Sequence, residues 1–162
     1  MAAERSTFDW LCEGVSIFAL VGSVVLVIVN WPMIPDQIPT HFDPSGQPDG
    51  SGGKGFLWFL LAMNVGIYFL LTAASRYQRL INLPFRVNRE APEARQILRS
   101  MMNLLKTVLM AMFFYIVRAV VYTALGKTDG LGVQFLPIFL LATLIPMLLF
   151  LRKLRKFRTP PS

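Results

Sequence analysis

The run from Trp10 to Trp31, WLCEGVSIFALVGSVVLVIVNW, decides the fold. No charged residue interrupts it between Val15 and Val29. Wound as a helix it rises about 30 Å, the thickness of a bilayer's hydrocarbon core, and a tryptophan at each end suits the two interfaces. Ser6 followed by Asp9 forms a capping pattern at its start. The preceding Glu4, Arg5, Asp9 and Glu13 are not a basic leader, and Asn30-Trp31-Pro32 offers no small-residue cleavage site. The run is therefore expected to be a retained span.

Three further apolar stretches follow, at about Phe56–Ala74, Leu104–Leu125 and Leu131–Leu151, the last containing Pro137 and Pro146. None alternates like a barrel strand, and backbone groups cannot stay unpaired in lipid, so helices are expected throughout. Of the 162 residues, 54% are hydrophobic and 15% charged, well below the charged share of a soluble domain. The fold class predicted is all-α: a four-transmembrane-helix bundle in one membrane domain over 1–162, with a Pro/Gly-rich folded outer loop over 32–55.

The net charge of +7 is read from its distribution. Arg76, Arg79, Arg86, Arg89, Arg95, Arg99 and Lys106 fall around the 75–103 connection, and Arg152, Lys153, Arg155, Lys156 and Arg158 in the 152–162 tail. The other two connections hold only Lys54 and Lys127. The positive-inside rule puts the middle connection, the tail and hence both termini in the cytoplasm. A basic tail beside a membrane implies anionic lipid rather than nucleic acid. In the middle connection, Asn88 is expected to cap a helix with Glu90 and Glu93 in its first turn, running into the third span. The single cysteine, Cys12, excludes an internal disulfide and reads as a packing residue.

The outer loop, PMIPDQIPTHFDPSGQPDGSGGKG over 32–55, has the proline and glycine content of irregular backbone with tight turns. Its apolar Ile38, Pro39 and Phe42 predict that it folds down on the helix ends. His41, Asp43 and Asp49 are possible metal ligands within nine residues. No second histidine or cysteine supports them, so neither metal nor cofactor is expected. The reading instead bonds His41 to loop backbone, pairs Asp49 with Lys54 or a turn, and gives Gly46 a positive φ.

Pro35, Ile38, Pro39, His41, Phe42, Gly46, Asp49 and Lys54, at this spacing, resemble a family of bacterial membrane proteins catalogued as a domain of unknown function. That family includes the SdpI-type immunity proteins, which protect a cell against a secreted toxin. Asn82, Pro84 and Arg95 after the second span resemble the same family, and the likeness covers about Val15 to Lys106. SdpI-type members are longer, with additional spans. The resemblance implies an inner-membrane receptor, immunity or envelope-stress module that meets a membrane or secreted protein at its outer loop. An enzyme is not expected: it would need a general base with a nucleophile or metal, and only His41 with Asp43 and Asp49 could supply them.

Within the spans, Arg118 requires an explanation. It lies roughly 10 Å below the outer end of its helix, where an unpaired arginine is costly. Tyr115 and Tyr122 share its face, and Asn64 lies at a similar depth. These four residues are expected to cluster, with Asp49 as counter-charge. The alternative function is a small oligomeric transporter or channel subunit with a polar path around Arg118. Pro146, one turn after Thr143, is expected to kink the fourth span.

Overall fold

A computed structural model describes residues 5–78 and 81–159. Arg79 and Glu4, weighed above, lie outside these residues. Helix α1 (Thr7–Asn30) passes through a 3-10 turn at Trp31–Met33 into two short strands, β1 (Gln37–Phe42) and β2 (Pro48–Gly53). Three helices follow: α2 (Phe56–Arg76), α3 (Pro92–Ala124) and α4 (Phe135–Leu154). All four helices are long and apolar enough to cross a membrane. The fold is the four-helix transmembrane bundle that the sequence predicts, with lipid as the surroundings of its outer faces.

Helix α1 is packed inside out relative to a soluble helix. Its buried face carries Asp9, Cys12, Ser16, Ala19, Ser23, Val27 and Asn30, which recur every three or four residues. Its exposed faces carry Phe18, Val21, Val25, Ile28 and Val29. Lipid tails are as apolar as leucine, so burying large apolar groups gains little here; small residues that allow close approach form the interface instead. A β-carbon on Gly22 would lie 3.1 Å from the Phe114 ring, which shows how closely α1 and α3 pack. The start of α1 is closed by a capping box in which Ser6 accepts from the Asp9 amide and Asp9 accepts from the Ser6 amide.

Helix α3 spans Pro92 to Ala124 without a break, about 50 Å at 1.5 Å per residue. It is longer than a bilayer core and forms the spine of the bundle. It does join the third span to the preceding amphipathic segment, but Asn88 is not its cap. Proline at the first helical position sets the start at Pro92, after Ala91 in extended conformation. Asn88 accepts instead from the Glu90 amide at 3.0 Å, in a local turn.

At one end of the bundle the start of α3 meets the end of α4. Ala94, Leu98, Met101, Met102 and Leu154 are buried together there, with Phe85, Val87 and Phe157 against them. The Asn88 amide donates to the Phe157 carbonyl at 2.9 Å and the Thr159 amide to the Arg86 carbonyl at 3.1 Å. The tail is thus tied to the middle connection, while Arg152, Lys153, Arg155, Lys156 and Arg158 stay exposed. At the opposite end, Val27, Ile34, Leu57, Leu61, Val117, Val120 and Val121 form a second cluster under the strands. Helix α4 runs through Pro146 as one helical element.

Candidate functional site

The connection between α1 and α2 is folded, and it is folded as a β-hairpin rather than as irregular turns. Strands β1 and β2 pair antiparallel, Ile38 opposite Gly52, Pro39 opposite Ser51 and His41 opposite Gly50, with irregular register on either side of His41. Glycines opposite β1 let its side chains lie across the partner strand: a β-carbon on Gly52 or Gly50 would meet Thr40 or His41 at 3.0 Å. At the turn, Asp43 accepts from the Ser45 amide (2.8 Å), the Ser45 hydroxyl (2.6 Å) and the Gln47 amide (3.0 Å). These bonds, the Ser45 hydroxyl first, hold the Asp43 carboxyl below its ordinary 3.8.

Four contacts fix the hairpin to the bundle. Ile38 is 1% exposed, inserted into the cluster of Val27, Leu57 and Val120. The Leu131 amide donates to the Gly46 carbonyl at 2.8 Å. Gly46 has φ of 83° and its missing β-carbon would lie 2.6 Å from the Gly132 backbone, so only glycine fits on both counts. Phe42 is half-buried against the same cluster as Ile38.

The polar residues of the loop pair differently from the sequence expectation. His41 Nδ1 lies 2.5 Å from Asp49 Oδ1, so His41 bonds a carboxylate and not loop backbone. Lys54 pairs with Asp36 at 2.9 Å instead of with Asp49. The register decides this: His41 and Asp49 face each other across the hairpin, whereas Lys54 and Asp36 close its open end, where the Lys54 amide also donates to the Asp36 carbonyl. The Lys54 ammonium holds the Asp36 carboxyl below 3.8 and sits 5.4 Å over the Trp31 ring, which meets Trp58 at 5.3 Å. Pro35 is exposed at the approach to β1. The Asp43 carboxylate is taken up by its own turn. Between the hairpin and the end of α3 lies an open groove of about 540 Å³, walled by Pro39, Pro48, Asp49, Ser51, Thr123 and Ala124.

The intramembrane cluster divides. The Arg118 guanidinium lies 4.7 Å over the Tyr122 ring. Tyr115 turns away, donating to the Leu131 carbonyl at 2.7 Å and stacking on Phe135 at 5.5 Å. Asn64 is fully buried and reaches Ser23 of α1 at 3.5 Å. Asp49 is engaged by His41 on the exposed side of the hairpin, and among the described residues Arg118 forms no ion pair. Asn82 and Pro84 are exposed and line, with Arg86 and Arg89, an open depression of about 520 Å³. The Arg95 carbonyl accepts from Gln78 at 2.7 Å, linking that helix to the end of α2.

A polar network not read from the sequence joins α1, α2 and α3 near the other end. Lys106 is fully buried; its ammonium donates to Glu13 at 2.8 Å and to the Thr72 hydroxyl at 3.1 Å, and lies 4.8 Å over the Tyr68 ring. The Tyr68 hydroxyl donates to the other Glu13 oxygen. One turn earlier, the Asp9 carboxylate accepts from Gln96 (2.9 Å), Ser100 (3.1 Å) and Asn103 (2.9 Å) of α3, besides Ser6. Thr107 closes the set, 3.0 Å from both the Ser16 hydroxyl and the Cys12 carbonyl. Lys106 is therefore set apart from the other basic residues of the connection, none of which is fully buried among the described residues. A signal was present: Asp9 and Glu13 are one turn apart, and Gln96, Ser100, Asn103 and Thr107 recur at helical spacing. Nothing in one dimension shows that the two stripes face each other.

A family model described as a domain of unknown function (DUF1648) matches residues 18–65. The match covers the second half of α1, the whole hairpin and the first half of α2. No curated protein and no solved structure matches the chain.

Proposed function

We propose that this protein is a multi-pass inner-membrane module of the SdpI-type class, with both termini cytoplasmic, that recognises a protein partner at the hairpin end. The observation carrying this reading is the fixed hairpin. A connector between two spans needs no buried Ile38 and no glycine fitted against Gly132, whereas a recognition surface gains affinity from being held in its bound form. The groove beside Asp49 and Ser51 is the docking place in this reading, and the exposed His41–Asp49 pair supplies its polar side. We read the protein as non-catalytic and without a cofactor. A receptor, immunity or envelope-stress role follows from the resemblance of the loop. The exposed tail cations are assigned to anionic lipid at the cytoplasmic face.

A photocrosslinking residue at Ser51, in cells, tests the reading. The expected result is a discrete adduct with an envelope or secreted protein that weakens in Gly46→Ala. Adducts with lipid alone would reject it. The second reading, an oligomeric transporter or channel subunit, draws on the half-buried Arg118 in a span. It requires flux in proteoliposomes that Arg118→Leu abolishes.

A further inference from the structure

We propose that Arg118 and Lys127, gathered on the Tyr122 ring, form a binding site for the phosphate of an anionic phospholipid at the hairpin end of the bundle. Two cations approach one aromatic ring: the Arg118 guanidinium at 4.7 Å from its centroid and the Lys127 ammonium at 5.4 Å. Like charges repel, and among the described residues neither forms an ion pair. Asp129, two residues after Lys127, is exposed and adds no such pair. The ring offers each cation its negative face but no full counter-charge. An anion does, through charge-assisted hydrogen bonds to both groups.

The level in the membrane selects the anion. Trp31 and Trp58 meet at 5.3 Å where α1 ends and α2 begins, and Tyr122 lies in the last turn of α3. Aromatic residues at helix ends mark the headgroup region. Arg118 is about 9 Å from the end of α3 along the axis, within reach of that level for an extended side chain. Lys127 lies just past the helix, on the connection. The Lys127 amide donates to the Tyr122 carbonyl at 2.8 Å, which holds the second cation beside the ring. A phosphate at headgroup depth beside Tyr122 would then meet both the guanidinium and the ammonium.

The test is native mass spectrometry of the full chain in detergent, in a background where R152Q, K153Q, R155Q, K156Q and R158Q remove the cations of the opposite end. The probes are phosphatidylglycerol, phosphatidylcholine and inorganic phosphate. One phosphatidylglycerol per chain is expected, bound about tenfold more tightly than phosphatidylcholine, with Arg118→Leu weakening it at least about tenfold. Lys127→Gln should weaken it less, and Arg118→Lys should retain most of it. If Arg118→Leu does not fold, Lys127→Gln and Arg118→Gln decide. Phosphatidylglycerol binding that ignores these substitutions, or that vanishes in the tail-neutral background, overturns the site. Inorganic phosphate binding with the same Arg118 dependence, while phosphatidylglycerol fails to bind, overturns the lipid and assigns a free anion.

Discussion

The Lys106 ammonium lies 2.8 Å from the Glu13 carboxylate, with the lysine side chain wholly buried and the glutamate 16% exposed. The pair joins α1 to α3, and Tyr68 and Thr72 bring α2 into the same junction. Removing one member leaves the other charged and without its counter-ion in a low-dielectric site, which typically costs about 3–5 kcal/mol. Lys106→Met and Glu13→Gln should each lower the unfolding midpoint in detergent strongly. The double variant should lose clearly less than the sum of the two. Additive losses in that cycle would show that the two groups do not act as a pair.

Gly46 and Gly53 give a matched contrast within the hairpin. Gly46→Ala places a β-carbon against the Gly132 backbone at a positive φ and should destabilise the docked hairpin by about 1–3 kcal/mol. Gly53 has open space around its α-carbon, and Gly53→Ala should change stability by no more than about 0.5 kcal/mol. Hydrogen exchange of amides in 37–53 would report the difference. Equal protection in the two variants would mean that the Gly46–Gly132 contact does not hold the hairpin.

Ile38 tests the apolar anchor. Ile38→Ala removes buried methyl groups from the cluster with Leu57 and Val120 and should cost about 2–5 kcal/mol, against about 0.5–1.5 for Ile38→Val. Thermal unfolding measures both, and a cost below 1 kcal/mol for alanine would place Ile38 outside the core.

The hairpin should respond to acid. Lys54 holds the Asp36 carboxyl below 3.8, so this group binds its proton more weakly folded than unfolded. Its contribution is therefore complete above 3.8 and is lost as the pH falls through the folded value. Because Lys54 lies over Trp31, tryptophan emission should change with a midpoint below 3.8. Asp36→Asn should abolish that change while leaving any transition due to Asp43. A titration unaffected by Asp36→Asn would sever the link.

The proposed orientation has a direct check. With Cys12 replaced by alanine, a cysteine at exposed Ser51 should react with an impermeant thiol reagent added outside cells, and one at exposed Asn88 should not. The opposite pattern would invert the protein in its membrane.

What the sequence determined by itself is what one-dimensional composition can fix. Trp10 to Trp31 and the three later apolar runs are helices because length and hydropathy suffice where no water can satisfy a backbone. Ile38 among prolines and glycines showed that the loop folds down, and Ser6 with Asp9 showed the start of α1. The tertiary structure decided the pairings. His41 bonds Asp49 and Lys54 bonds Asp36 because of a strand register that proline and glycine composition does not reveal. Lys106, in sequence one more cation at the end of a basic connection, is buried on Glu13 because α1 and α3 turn their polar stripes toward each other. Arg118 rests on Tyr122 while Asp49, the counter-charge expected for it, bonds His41. A charge's partner depends on the rotation and separation of whole elements, and these are set only when all the helices pack.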